Sequence, residues 1–204
     1  MGKGRGGVAE LIEDASFDDE DWYGEELADR AYTRCTFSQV DLTEAQTQGV
    51  VFTDCAFVDV RFNTSRHASS AFVGCTFERC NLFDAEFVGC KLTGSTFHKS
   101  ALRPLRVIGG DWSFVGLSGA DLRDATVEGT RMREIDLTGA NCEDAAFTNV
   151  DLSGAQLRGA TFRRCDLRGS DLSAFEPGEV GLAGAIIDAA QAVVLAQALG
   201  VQVR

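Results

Sequence analysis

The sequence predicts an all-β solenoid, a quadrilateral β-helix of five-residue repeats with a short C-terminal α-helix. Three observations predict it: a large apolar residue at every fifth position, a small residue two positions before it, and a longer period of twenty residues. A strict period of five fits neither the 3.6-residue turn of an α-helix nor an indefinitely alternating strand. Each pentad is therefore a structural unit of its own.

The large apolar residue is the centre of each pentad. Thirty-two of the thirty-five positions that end in 2 or 7, from Phe17 to Ile187, carry an apolar side chain. The three other positions hold Thr47, His67 and Pro177. Because Thr47 and His67 are twenty residues apart, we expect a local polar adjustment or a bulge in the core there, rather than a ligand site.

The second inward row consists of small residues. At the multiples of five from Cys35 to Ser170, every residue except Leu105 and Ile135 is Ala, Cys, Ser, Val, Thr or Gly. Two inward positions separated by one outward position describe a short extended segment. Polar residues and glycines follow the centres and supply turns. Each pentad is thus one side of a coil followed by a corner, and Pro104 at such a corner predicts a kink.

Two ladders at period twenty indicate four pentads per coil. They are Phe17, Phe37, Phe57, Phe77, Phe97 and Cys35, Cys55, Cys75. Six of the seven cysteines lie in the small row and Cys142 is a centre, so we expect reduced, core-filling thiols. We divide the chain into a flexible N-terminal tail or cap at 1–16, the β-helix at 17–187, and a helix with a dimerisation segment at 188–204.

Composition excludes several functions. No apolar run is long enough to cross a bilayer and the first residues lack the apolar core of a signal peptide, so we expect a soluble cytoplasmic protein without membrane contact. With two histidines, no recognisable nucleophile and base, no metal-ligand spacing and a filled core, we expect no catalytic, metal or cofactor-binding site and no enzyme activity.

The net charge of −12 is concentrated at the two ends of the chain. Residues 1–30 contain ten acidic and three basic residues, and residues 171–204 contain four acidic residues and one basic residue. Residues 31–170 are nearly balanced, with seventeen acidic and fifteen basic residues. Direct binding of nucleic acid requires clustered Lys and Arg, which this chain lacks, so a basic protein partner is expected instead. The acidic N-terminal stretch is read either as a solvated end or as an electrostatic contact.

The ends of the repeat carry further signals. Asp188 followed by Gln191 resembles a capping box, Ala189 to Leu199 is helical in character, and Gly200 stops the helix. The helix has no charged residue, so part of it is expected to be covered by the last coil or by a second copy. The predicted dimer interface contains Ile186, Val193, Val194, Leu195, Leu199, Val201 and Val203. Residues 8–14 are expected to form a helical turn.

The pentads Ala120-Asp121-Leu122-Arg123-Asp124 and Ala140-Asn141-Cys142-Glu143-Asp144 resemble the A(D/N)LXX pattern of the pentapeptide-repeat family. Within that family the chain is most similar to the MfpA-like and Qnr-like quinolone-resistance proteins, through segments such as Cys75–Arg79 and Arg131–Glu134. The resemblance implies a right-handed β-helix. It also implies a homodimer joined at the C-terminal ends, with a size and charge like those of B-form DNA.

The resemblance further implies that the protein binds DNA gyrase, modulates supercoiling and protects gyrase from antibiotics that trap the cleaved complex. The expected partner-binding acids are Asp18, Asp19, Glu20, Asp21, Glu25, Glu26, Asp41, Glu44, Asp84, Asp121, Asp124, Asp144, Asp171, Glu176, Glu179 and Asp188. In a tail-to-tail dimer, residues 171–188 would meet at the middle and the N-terminal clusters would lie at the tips. The alternative is a non-enzymatic interaction scaffold with another protein partner, because fold does not determine function.

Overall fold

The computed structural model describes residues 10–204 and shows a parallel β-solenoid that ends in a short α-helix, as the sequence predicts. Its strands are three or four residues long because each pentad turns a corner after one side. In chain order they are β1 (Glu10–Glu13), β2 (Ser16–Asp18), β3 (Glu26–Ala28), β4 (Arg30–Thr33), β5 (Thr36–Ser38), β6 (Gln46–Gln48), β7 (Val51–Thr53), β8 (Ala56–Val58), β9 (Arg66–Ala68), β10 (Ala71–Val73), β11 (Thr76–Glu78), β12 (Ala85–Val88), β13 (Thr96–His98), β14 (Leu105–Ile108), β15 (Thr126–Glu128) and β16 (Ala146–Thr148), followed by α1 (Ala189–Ala198).

The strands stack into sides of a four-sided coil, with partners twenty residues apart. Side 1 is a sheet in the order β1-β4-β7-β10, and side 2 is a sheet in the order β13-β11-β8-β5-β2. Side 4 is a sheet in the order β16-β15-β14-β12-β9-β6-β3. Side 3, between sides 2 and 4 along the chain, is held by single parallel bridges such as Asp21–Asp41 and Asp41–Arg61. The period of twenty residues predicted from the ladders is therefore confirmed.

The core is a column of centre residues, and its first half is aromatic. On side 2 the rings of Phe37 and Phe57 stack with centroids 4.8 Å apart, and those of Phe77 and Phe97 with centroids 4.4 Å apart. This spacing is the distance between neighbouring strands, so backbone pairing and ring stacking satisfy the same repeat. Burial of each such ring contributes about 1.5 to 3 kcal/mol. All seven cysteines are buried and free, which fits their predicted place in the core.

The polar interruption of the core at Thr47 and His67 is a hydrogen-bonded chain. Strands β6 and β9 pair in regular register with Thr47 opposite His67, so the expected bulge is absent at this position. The Ser65 hydroxyl donates to the Phe62 carbonyl (2.7 Å), so its oxygen accepts from His67 Nε2 (3.0 Å). His67 Nδ1 then accepts from the Thr47 hydroxyl (2.9 Å). Both ring nitrogens are satisfied while the imidazole is neutral.

Most corners have a left-handed backbone at the second residue after a centre. Gly154 (φ 68°) supplies it as the turn pattern predicts, but Arg34 (φ 53°) and Asp54 (φ 52°) adopt the same conformation. Phe114 (φ 60°) is a bulky residue in this left-handed conformation, and its side chain is exposed. At another corner the Arg103–Pro104 peptide is cis, yet Asp84 N–H still donates to the Pro104 carbonyl (2.9 Å). The ladder therefore continues through Pro104 at the corner where the sequence predicts a kink.

The N-terminal end differs from the sequence expectation. Residues Glu10 to Glu13 form strand β1, which pairs with β4 in register, and not a helical turn. The described part of the solenoid therefore includes Glu10, seven residues before the predicted boundary at Phe17. Residues 1–9 of the predicted tail or cap at 1–16 lie outside the described residues.

The C-terminal helix forms as predicted and is tied to the last coil by one side chain. Asp188 is the N-cap, and it forms a reciprocal capping box with Gln191. Gln191 Nε2 also donates to the carbonyls of Leu167 (2.6 Å) and Ser170 (2.7 Å), and the residue is buried. Gln191 thus satisfies the Ser170 carbonyl at the end of the stack and adds a second bond to the Leu167 carbonyl, which also accepts from the Ser170 N–H (3.1 Å).

Candidate interaction surfaces

Arginines neutralise the middle of the rod by pairing between coils. In the described residues, every arginine from Arg30 to Arg168 lies within ion-pair distance of a carboxylate. Many partners are twenty residues apart, such as Arg34 with Asp14 (2.7 Å) and Arg61 with Asp41 (2.7 Å). Each exposed pair stabilises little, about 0 to 1 kcal/mol. Their larger effect is to cancel charge along the sides.

Six of the predicted partner-binding acids belong to these pairs. The hydrogen bond from Arg123 lowers the pKa of Asp121, and that from Arg164 lowers the pKa of Asp144. These carboxylates remain ionised, but a cation already occupies each of them. The six pairs are Asp41–Arg61, Asp84–Arg66, Asp121–Arg123, Asp124–Arg103, Asp144–Arg164 and Glu179–Arg158.

A group of carboxylates in the first coil has no arginine partner among the described residues. We call them the first-coil carboxylates: Asp18, Asp19, Glu20, Asp21, Glu25, Glu26 and Asp29. Glu20 accepts a hydrogen bond from the indole N–H of Trp22 (2.8 Å), and Asp21 accepts one from the backbone of Tyr23 (3.1 Å). All seven side chains are exposed. Glu44, on the second coil, borders the group and raises the pKa of Tyr23 by accepting its hydrogen bond.

The C-terminal acids have different structural settings. Asp171 and Glu176 are exposed and lie in no ion pair of the described part. Asp188 is committed to the helix: its side chain accepts from the backbone of Gln191 (2.9 Å) and of Gly169 (3.2 Å), and these bonds lower its pKa. Asp188 therefore has the capping role that the sequence predicts, in addition to its predicted role as a partner-binding acid.

The predicted dimer residues form an apolar end surface, with one difference. Leu195 is half-buried and packs against the core of its own protomer, where it covers the last coil. The other predicted residues are exposed, including Ile186 at 51% and Leu199 at 65%. The remaining exposed members are Val193, Val194, Val201 and Val203. These six exposed apolar side chains lie in the last coil, in α1 and in the segment that follows it, and we call them the apolar end surface.

The last coil also contains a groove that the repeat pattern did not predict. It has a volume of about 420 Å³ and lies on side 2, where Pro177 occupies a centre position. Its lining includes Gln156, Leu157, Ala174 and Val180. In the sequence, Pro177 is the residue that could have indicated this groove, because proline has no backbone N–H to donate to a β-ladder.

Other kinds of site are not seen in residues 10–204. No cluster of three or more His, Cys, Asp or Glu side chains in that range is arranged to hold a metal ion. No helix within the same range has the length and apolarity needed to span a bilayer.

Comparison with protein families agrees with this architecture. A model described as pentapeptide repeats (8 copies) matches residues 117–154 and 135–173, and a model described as a pentapeptide repeat region matches residues 30–104. The chain belongs to the pentapeptide-repeat family. Comparison with curated proteins gives no match.

Solved structures with the same fold include forms of QnrB1, a plasmid-mediated fluoroquinolone resistance protein. One trypsin-treated variant superposes with a TM-score of 0.81 at 21% identity, covering 95% of this chain and all of that one. Another trypsin-treated variant gives 0.77 at 24% identity, covering 96% and 99%. Full-length QnrB1 gives 0.62 at 23% identity, covering 94% and 100%. At these identities the likeness establishes the β-helical fold.

Proposed function

We propose that this protein is a DNA-mimicking ligand of DNA gyrase that modulates supercoiling and protects the enzyme from topoisomerase-poisoning antibiotics. The observation that carries the proposal is the uneven neutralisation of the rod. Arginines cancel the carboxylates of the middle coils, whereas the first-coil carboxylates stay available to a basic surface. The shared fold with a fluoroquinolone resistance protein supports the choice of gyrase as partner.

The proposed active form is a cytoplasmic homodimer joined through the apolar end surface. Joining two protomers there would place the two groups of first-coil carboxylates at opposite tips and bring Asp171 and Glu176 of both copies toward the middle. A basic groove that normally holds duplex DNA is the complementary partner surface, since it already accommodates a regular array of negative charge. Attraction between these surfaces would accelerate association and would weaken as salt is added.

The direct test is a supercoiling assay with purified gyrase, titrated with the full chain in the presence and absence of a fluoroquinolone. We expect inhibition of supercoiling at high protein concentration and rescue of activity when the drug is present. Failure of both effects with gyrases from several bacteria would refute the proposal and favour a scaffold with another partner.

Charge variants test the mechanism. Replacing Asp18, Asp19 and Asp21 with lysine should weaken gyrase binding and reduce its salt dependence, because the substituted side chains repel a basic surface. The matched control exchanges one ion pair, Asp59→Arg with Arg79→Asp, which preserves both the net charge and the pairing. Equal binding by the control and the lysine variant would contradict the assignment of the contact to the first coil.

A further inference from the structure

The backbone ladder of side 2 is regular until the last coil. In each earlier coil the N–H of the centre residue donates to a carbonyl nineteen residues later. Examples are Leu117 to Asp136 (2.8 Å) and Leu137 to Gln156 (2.9 Å). These bonds make each coil the template for the next.

At the last coil this pairing is interrupted between Ala155 and Leu157, and it resumes where the N–H of Gly159 donates to the Glu179 carbonyl (3.0 Å). Within the described residues, neither the N–H of Leu157 nor the carbonyl of Ala155 pairs with the chain that follows. The Glu176 carbonyl accepts instead from the N–H groups of Glu179 (2.8 Å) and Val180 (3.1 Å), which closes a turn around Pro177. The groove described above is the space left beside this strand edge, and it is a candidate for the addition of an extended segment.

The segment 201–204, Val-Gln-Val-Arg, has the complementary properties. Gly200 (φ 78°) ends α1 in a Schellman motif: its N–H donates to Gln197 (2.8 Å), and the N–H of Val201 donates to Ala196 (3.0 Å). All four residues that follow are exposed. Alternating valines and polar residues are typical of a strand with one apolar face.

We infer that the segment 201–204 of one protomer occupies the side 2 groove of a second copy. The inference rests on the homodimer of the proposed function and deepens it. Two observations favour docking into a second copy over docking into the same protomer. The capping box and the Schellman motif fix both ends of α1, and residues 201–204 are exposed where they leave α1. Arg204 then meets Glu176, a groove carboxylate with no arginine partner in its own described chain. In a two-fold dimer each copy donates one segment and receives one.

The test is disulfide trapping, which is feasible because the native cysteines are buried. One sample of the full chain carries Gln156→Cys in the groove, and the other carries Val203→Cys in the segment. The control replaces the groove cysteine with Ser118→Cys, which is exposed on the same side two coils away. Each pair is mixed, allowed to exchange subunits, oxidised mildly and analysed on non-reducing gels, with the mass in solution measured in parallel.

We expect a covalent dimer that contains both cysteine variants in the Gln156→Cys mixture, and loss of that product in the Ser118→Cys mixture. Equal trapping in both mixtures from a protein that is dimeric would overturn the segment exchange and leave the homodimer intact. A doubly substituted chain that closes an intramolecular disulfide would overturn it in favour of docking within the protomer. A monomeric mass would overturn both the exchange and the homodimer, whereas the gyrase assay reports on the partner independently.

Discussion

Acidification should destabilise the protein through His67, whose imidazole is buried and neutral. Burial lowers the pKa of His67 from its ordinary value of 6.5 to about 3. In the unfolded chain the same ring takes up a proton below pH 6.5, so the unfolded state binds more protons than the folded state between these values. Stability is therefore complete above pH 6.5 and falls as the pH decreases toward 3.

The size of the effect follows from the pKa difference. Each unit corresponds to about 1.4 kcal/mol, so the whole interval corresponds to roughly 5 kcal/mol. Between pH 7.5 and 4.5 the expected loss is about 2.7 kcal/mol, of the same order as a large single-site effect. The paired carboxylates Asp14 and Asp59 have pKa values held below 3.8 by hydrogen bonds from arginines, so their linked loss of stability belongs to more acidic solutions.

The assay is denaturant unfolding at several pH values between 7.5 and 4.5. The informative variant is His67→Phe, which removes the proton-binding group and continues the aromatic column beside Phe87, whose ring lies 4.7 Å from the imidazole. Its stability should depend much less on pH in that window, although the loss of bonds to Thr47 and Ser65 lowers its stability at neutral pH. His98→Gln removes the exposed histidine and should retain the slope of the parent. Identical slopes in the parent and His67→Phe would refute the argument.

Three further predictions concern packing and capping. Gln191→Ala should lower the free energy of unfolding by about 2 to 4 kcal/mol, because it unpairs the Ser170 carbonyl, removes one of two bonds to the Leu167 carbonyl and breaks the capping box. Gln197→Ala on the exposed side should change the free energy of unfolding little. Calorimetry that found the two variants equal would count against the docking of α1. Phe114→Gly should raise the free energy of unfolding by up to about 1 kcal/mol. The exposed phenylalanine gains little from packing, whereas a left-handed backbone costs an L-residue roughly 1 to 2 kcal/mol. Denaturant midpoints measure the change in stability, and a clear decrease would show that the ring makes stabilising contacts. Phe57→Ala should cost about 3 to 5 kcal/mol by opening a cavity in the ring column, and a loss below about 1 kcal/mol in the same assay would contradict a close-packed core.

Periodicity predicts the interior of this protein well because inward positions admit few residue types. The column of centres, the row of small residues and the twenty-residue coil can all be deduced from residues such as Phe57 and Cys55. Charge pairing carries the same period, since Asp14 lies under Arg34 and Asp144 under Arg164. The twenty-residue spacing, applied to charged positions, therefore distinguishes many of the paired carboxylates from the free ones on sequence alone.

The ends were harder to predict because their conformations depend on partners outside the local sequence. In the sequence, Val8, Leu11 and Ile12 are spaced in a way that suits a helix, but pairing with β4 makes Glu10 to Glu13 a strand. Pro177 is an exception at a centre position and marks where the backbone leaves the ladder, but a proline there does not by itself indicate that a groove opens beside it. The role of Gln191 is visible only once the carbonyls of Leu167 and Ser170 are placed beside it.

The position of the first-coil carboxylates has a consequence for self-assembly. Strands β1, β2 and β3 are the terminal strands of their sheets, and a parallel ladder with identical spacing at every coil could in principle be extended by another rod. Asp18, Asp21 and Glu26 lie at that edge together with their unpaired neighbours. Two such edges would repel each other at neutral pH, and this repulsion would oppose head-to-head growth of rods into fibres. The charge that we propose for contact with a basic partner would therefore also keep the rods apart.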